Sequence, residues 1–338
     1  SSFLAQVSIA TCGHIMEPPS KQPRVDGPDL NIAFIGNSFT YFNDLPHLLK
    51  HFLKANLRGN VKVGCCLKGG STLTSLWNEG FAEKAKKSIG DRDMYNTCDE
   101  MLKAPDGWNI IVIQDFSQGP ARDKGRSESL QVLHDKYIPA ISAMELRTGQ
   151  KPLCLFYHSW GYLKNSKGSE ELGTFSEMTR KLNAGYQEYA QLFERAGFPT
   201  AQVLAGAAFE ALHDRHPLLW ESIYFQDHYH PNAKGTFMNA TMFLSAIARH
   251  PWLAHRFECR RISIPLQWPD DVPRMCRISA EDDPNAPPPD PELAKMDDVR
   301  KGLRAPTPQE LKEVLEAVGI IAKETVGEKN EYNLVSLL

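Results

Sequence analysis

The sequence predicts an α/β fold, a three-layer α/β/α sandwich on a central parallel sheet. Two observations predict it. Short apolar runs of the kind that form strands buried on both faces recur along the chain, and amphipathic helical windows alternate with them. Strands joined by helices pair in parallel and cross over right-handedly, which leaves helices on both faces of the sheet.

Taken in order, residues 1–29 contain EPPSKQP and RVDGPD, a Pro-punctuated stretch that reads as an extended arm. The folded body starts at Leu30, where a run to Ile35 closed by Gly36 forms the first strand. Leu45, Leu48, Leu49, Phe52 and Leu53 then repeat with helical spacing, which gives a helix one buried stripe. Residues 61–67, 109–113, 152–158 and 200–205 supply four further strands. Between the last two lies the clearest helix, 174–196, stopped by Gly197 and Pro199 as a C-terminal glycine and a following proline should stop it. Another helix covers 236–248, and the α/β domain is expected to span 30–255.

The remainder, 256–338, reads as an extension. Residues 280–292, AEDDPNAPPPDPE, are too rich in Pro and Asp to pack and form a linker. Beyond it, Thr307, Pro308 and Glu310 match an N-cap, a first-turn proline and the partner of a capping box. Leu311, Val314, Leu315 and Val318 give the helix they open an apolar stripe, suited to docking on the body.

With 38 Lys and Arg against 41 Asp and Glu in 338 residues, the net charge of −3 argues against a protein that coats nucleic acid. No apolar run reaches the roughly 18 residues of a membrane span. The mildly apolar first fifteen residues lack a basic n-region, and are compatible with the edge of a removed targeting segment; a soluble protein is expected, with secretion and organellar import both open. The seven cysteines include no C-x-x-C pair, so neither a zinc ribbon nor a small-domain disulfide framework is indicated, although Cys259 and Cys276 have the option of pairing in an oxidising compartment. Cys65 and Cys66 fall on a strand, where alternation sends them to opposite faces as small buried hydrophobes.

Two short stretches carry chemistry. Gly36-Asn37-Ser38-Phe39 follows the first strand directly, and in an open parallel sheet the carboxyl ends of the strands face the ligand crevice, so Ser38 is presented to a substrate. Asp227-His228-Tyr229-His230-Pro231-Asn232 precedes the last helix. An imidazole there can take the serine proton, and a carboxylate three residues earlier fixes its tautomer. Each stretch alone also reads as a polar turn or a helix cap.

Together, IAFIGNSFT near the start and DHYHPNAKG near the end of an alternating α/β chain resemble the first and last blocks of the SGNH (GDSL-like) hydrolases, over residues 30–250. GNSFTYFND is similar to one branch of that superfamily, with Asn37 where Asp is usual. The resemblance implies a flavodoxin-like sandwich and a serine esterase with Ser38 as nucleophile and Asp227 and His230 completing the triad. It implies an oxyanion hole from the Ser38 N–H, a Gly after the second strand (Gly70, with Gly69 as the adjacent alternative) and a side-chain amide after the third. The expected Gly-x-Asn-Asp of that third block is replaced by VIQDFSQGP, so Gln114 is the favoured amide and Ser117 and Gln118 are substitutes.

The implied reaction is hydrolysis of a carboxylic ester on a small molecule or glycan, with no metal or organic cofactor. An acyltransferase using the same triad and a non-catalytic ligand-binding protein on the same scaffold remain alternatives, and oligomeric state stays open. Other features are weaker. His213, His216, His228 and His230 with Asp214 and Asp227 could make a metal cluster, but Arg215 sits inside the first pair and no H-E-x-x-H occurs. Trp160 and Tyr162 are candidates to line the crevice, and Asn239-Ala240-Thr241 is a glycosylation sequon that falls inside a helix.

Overall fold

A computed structural model describes residues 29–57, 59–79, 93–164, 170–254, 264–274, 298–300, 302 and 304–325. The N-terminal arm to residue 28, the Pro-rich linker, Cys259 and Cys276 lie outside the described residues.

Five parallel strands form one sheet in the order β2-β1-β3-β4-β5: β1 Leu30–Gly36, β2 Val61–Leu67, β3 Ile110–Ile113, β4 Leu153–Tyr157 and β5 Thr200–Val203. This is the flavodoxin-like order. The chain runs from β1 outward to β2 and then crosses back to β3 on the other side of β1, so the connections leave β1 and β3 in opposite directions and open a crevice at their carboxyl ends.

Alternation along the strands builds two cores. Ile32, Phe34, Cys65, Val112 and Leu155 face one side, and Ala33, Ile35, Cys66, Ile113 and Phe156 face the other, all fully buried. The short helix α1 (Ser38–Tyr41) follows β1, and on the first side of the sheet pack α2 (Leu45–Lys54), α8 (Ala205–Arg215) and α10 (Ala233–Arg249). The second is covered by α3 (Leu73–Glu79), α4 (Cys98–Leu102), the pair α5 (Asp123–Val132) and α6 (Ile138–Thr148), and the C-terminal half of α7 (Phe175–Arg195). The molecule is therefore a three-layer sandwich.

Between α5 and α6 the helix loosens into a π-turn at Leu133–Tyr137, just before Pro139, whose ring nitrogen has no hydrogen to donate to the preceding turn. The terminal helix Pro308–Thr325 docks against α10 and α8 through buried Leu311, Val314 and Leu315. Its capping box forms as the sequence predicts: Glu310 N–H donates to Thr307 Oγ (3.3 Å) and Thr307 N–H to Glu310 Oε2 (2.7 Å).

Candidate active site

The turn after β1 is built by Asn37. Its side-chain oxygen accepts from Phe39 N–H (3.1 Å) and caps the short helix Ser38–Tyr41, while its amide nitrogen donates to the carbonyls of Ser71 and Asp115 (3.0 Å each). One carboxamide therefore fastens the loops after β1, β2 and β3 together, and Ser38 stands at their junction. An aspartate at this position would have no hydrogen to donate, which gives a physical meaning to the departure from the usual Asp.

The second half of the site is a tight loop closing α9 (Pro217–Ser222) onto α10. Tyr224 bridges Pro231 antiparallel, Phe225 N–H donates to the His230 carbonyl (2.8 Å), and His228 turns the chain with a left-handed φ of 69°. A residue with a Cβ pays for that conformation, and such strain tends to collect at functional sites. Asn232 then caps α10 with its side-chain oxygen.

Asn43 joins the two halves. It has a left-handed φ of 51°, and its amide donates to the Pro231 carbonyl (3.1 Å) and to Thr236 Oγ1 (2.9 Å).

The result is a continuous relay. Ser38 Oγ lies 2.6 Å from His230 Nε2, and His230 Nδ1 lies 2.7 Å from Asp227 Oδ2. The other carboxylate oxygen of Asp227 accepts the backbone N–H groups of His230 (2.9 Å) and Tyr229 (3.1 Å). Because a carboxylate can only accept, Nδ1 carries a proton and Nε2 is free to receive one from Ser38. Burial alone would raise the Asp227 carboxyl, but the facing imidazole and the bonds from His230 and Tyr229 outweigh it and hold the group below the ordinary carboxylate range. The Phe42 ring stacks on His230 with centroids 3.8 Å apart, so one face of the base is closed to solvent.

The expected oxyanion donors fare differently. Gly70 is exposed, has a φ of 69°, and a Cβ added there would meet nothing within 4 Å, so its backbone borders open space. At Gly69 a Cβ would strike the Tyr41 hydroxyl at 2.7 Å. Gln114 corrects the sequence expectation. It is fully buried, and its Oε1 accepts the Asn37 N–H (2.9 Å) and the Thr40 hydroxyl (2.9 Å), while its amide nitrogen donates to the Asp115 carbonyl. The backbone donor fixes which end is oxygen, so the amide points into the floor of the turn and away from an incoming carbonyl. Ser117 Oγ and Gln118 Nε2 both reach the hydroxyl of Tyr162 (2.8 and 3.0 Å).

Beneath this floor lies Asp115, a residue the sequence reading passed over. Its buried carboxylate receives Ser129 Oγ (2.7 Å), Phe116 N–H (2.7 Å), Tyr189 OH (2.9 Å) and Leu73 N–H (3.2 Å). Burial still pushes its pKa up against these four donors. The signal was faint because three of the partners come from other elements.

The remaining candidates separate. Trp160 is core, its indole N–H bonded to the Tyr229 carbonyl (3.1 Å), and Tyr162 is nearly buried. Tyr229 is the partly exposed ring beside His230. Asn239 is fully buried on α10 and donates to Tyr157 OH (2.8 Å), so the sequon offers no acceptor on the folded surface. His213 pairs with Asp214 and stacks on Phe175, and among the described residues no three His, Cys, Asp or Glu side chains converge as metal ligands. Among them, too, no helix is long and apolar enough to cross a membrane.

No family model matches the sequence, and no curated protein does. Solved structures do. The chain is similar to a DUF4886 family protein from Bacteroides uniformis, at 17% identity and a TM-score of 0.47 over 68% of this chain and 84% of that one. It is also similar to a catalytic mutant of Axe2, an acetylxylan esterase from Geobacillus stearothermophilus, at 14% identity and a TM-score of 0.37 over 66% and 96%. A third is a protein described as a GDSL-like lipase from Parabacteroides merdae, at 12% identity and a TM-score of 0.40 over 67% and 98%.

Proposed function

We propose that this protein is a serine hydrolase of SGNH type that cleaves a carboxylic ester through an acyl-enzyme. The observation that carries the proposal is the relay of 2.6 and 2.7 Å from Ser38 through His230 to Asp227. Ser38 Oγ attacks the ester carbonyl as its proton passes to His230 Nε2, and Asp227 stabilises the imidazolium so formed. The imidazolium returns the proton to the departing alkoxide. His230 then takes a proton from water, whose hydroxide attacks the acyl carbon, and Ser38 leaves with that proton.

Negative charge on the tetrahedral oxygen falls to the backbone N–H groups of Ser38 and Gly70. Among the described residues neither has an acceptor, and a single such donor is typically worth about a hundred- to a thousandfold in rate. The stacked Phe42 favours the relay further, because a base shielded on one face exchanges protons with serine rather than with bulk water.

The test is labelling with a fluorophosphonate probe alongside hydrolysis of short-chain aryl esters. The wild-type protein is expected to label at Ser38 and to turn over; Ser38→Ala is expected to do neither. Hydrolysis retained in Ser38→Ala would overturn the mechanism. An acyltransferase would show ester product when an alcohol acceptor is added.

A further inference from the structure

The loop that carries Asp227 and His230 is touched from outside the α/β body. Val299 is fully buried in the apolar core on the side of the sheet that also holds Tyr224 and Phe225, which ties the segment 298–300 to the body. Next to it, Arg300 donates from Nε to the Tyr224 carbonyl (3.0 Å) and sets Nη2 3.4 Å from His228 Nδ1. These contacts fall on the two points that define the loop: Tyr224 is where it opens, opposite Pro231, and His228 is where it reverses in the left-handed region. The His228 carbonyl in turn accepts the N–H of Leu163 (2.9 Å).

We propose that Arg300 is a positioning residue for the triad. Resting on the hydrolase reading above, the claim is that the guanidinium clamps both ends of the 224–228 turn and so holds His230 Nε2 against Ser38 Oγ. Arginine suits the task because its planar fork reaches a carbonyl and a ring nitrogen together and stays charged throughout. A guanidinium only donates, so in this contact His228 Nδ1 is the acceptor. The left-handed backbone at His228 gives the clamp something to oppose: without it, relaxation of that residue shifts the chain two positions before the base.

The experiment compares Arg300→Met, Arg300→Lys and, as a control, Arg304→Ala in the full chain. Arg304 instead pairs with Glu310 at the start of the terminal helix. Three quantities are read: kcat and KM on p-nitrophenyl acetate, hydrogen exchange of the 224–231 amides, and exchange of the β1 and β3 amides as a measure of global stability. Arg300→Met is expected to lose roughly ten- to a hundredfold in kcat, with KM changed less than about twofold. Its loop amides should exchange faster while the β1 and β3 amides do not. Arg300→Lys should fall between, since it restores a donor to the carbonyl without the fork, and Arg304→Ala should match wild type. Unchanged kcat and loop exchange in Arg300→Met would overturn the proposal, as would an equal loss in Arg304→Ala or a parallel loss of protection in β1 and β3. If the wild-type protein neither hydrolyses the ester nor accepts a fluorophosphonate, the hydrolase reading fails, and the loop exchange alone still decides whether Arg300 orders the loop.

Discussion

Asn37 shows how a single side chain can set a site. Its amide nitrogen serves two carbonyls, so Asn37→Asp places a carboxylate against two oxygens it can only repel. The expected cost is about 2–3 kcal/mol, from two lost bonds and buried acceptors left unmet, with a matching fall in kcat. Urea unfolding and ester turnover would check both, and a variant as stable as wild type would contradict the account. His158 gives a pH dependence of definite sign. It is fully buried at the end of β4, bonded to Asn183 and stacked on Tyr186, and burial lowers its pKa to about 4. The unfolded chain therefore binds a proton that the folded one refuses. Stability is full above roughly pH 6.5 and falls between there and about pH 4, by on the order of 3 kcal/mol. Asp227, held low, adds to the loss as the pH falls below the ordinary carboxylate range. Chemical denaturation from pH 7.5 to 4.5 should show the decline, and His158→Phe should flatten its upper part. Ser38, Asp227 and His230, which the fold brings within hydrogen-bond reach of one another, stand out as candidates because each sits in a short, local pattern at the end of a strand or the start of a helix. Gln114 was misread because its role depends on Asn37 and Thr40, 77 and 74 residues away, and nothing in VIQDFS announces that its amide turns inward.

Among the elements, α7 packs closer than its sequence suggests. Gly185 faces the segment after β3, where an added Cβ would lie 2.3 Å from the Pro120 carbonyl oxygen. Gly185→Ala would gain helix propensity of about 1 kcal/mol in isolation. Here the steric term wins, and a net destabilisation of about 2 kcal/mol is expected, measurable as a lower urea midpoint. The five strands were readable within one or two residues at each end, because uninterrupted apolar runs bounded by Gly and Pro leave few other options. The Cys65 and Cys66 side chains fall on opposite faces as alternation requires. Less visible were α3 and α4, too short at seven and five residues to display a stripe, and the kinked pair α5 and α6, whose first member is almost wholly polar. The same holds for Asp93–Tyr95, which pairs with Cys65 along the outer edge of β2; its register depends on a partner nearly thirty residues earlier.

At the scale of the whole molecule, the terminal helix completes the layer that α8 and α10 begin. Leu311 is fully buried there, so Leu311→Ala should cost about 2–4 kcal/mol and lower the thermal midpoint of the entire protein, not merely fray its end. A separate low-temperature transition would instead mean that this helix unfolds alone. The sequence disclosed that the helix exists and how it is capped, but the surface that receives it is assembled from the distant segments Ala205–Arg215 and Ala233–Arg249, which no local pattern encodes. The relay between Ser38 and His230 has a similar reach, 192 residues along the chain. A ribosome has therefore made the whole stretch from Ser38 to His230 before the two side chains can meet, and early compaction of the first three strands does not assemble the relay. If Ser38 is the nucleophile proposed above, newly made or refolding protein passes its hazardous, partly open stages chemically silent, and labelling of that serine should track completion of the fold.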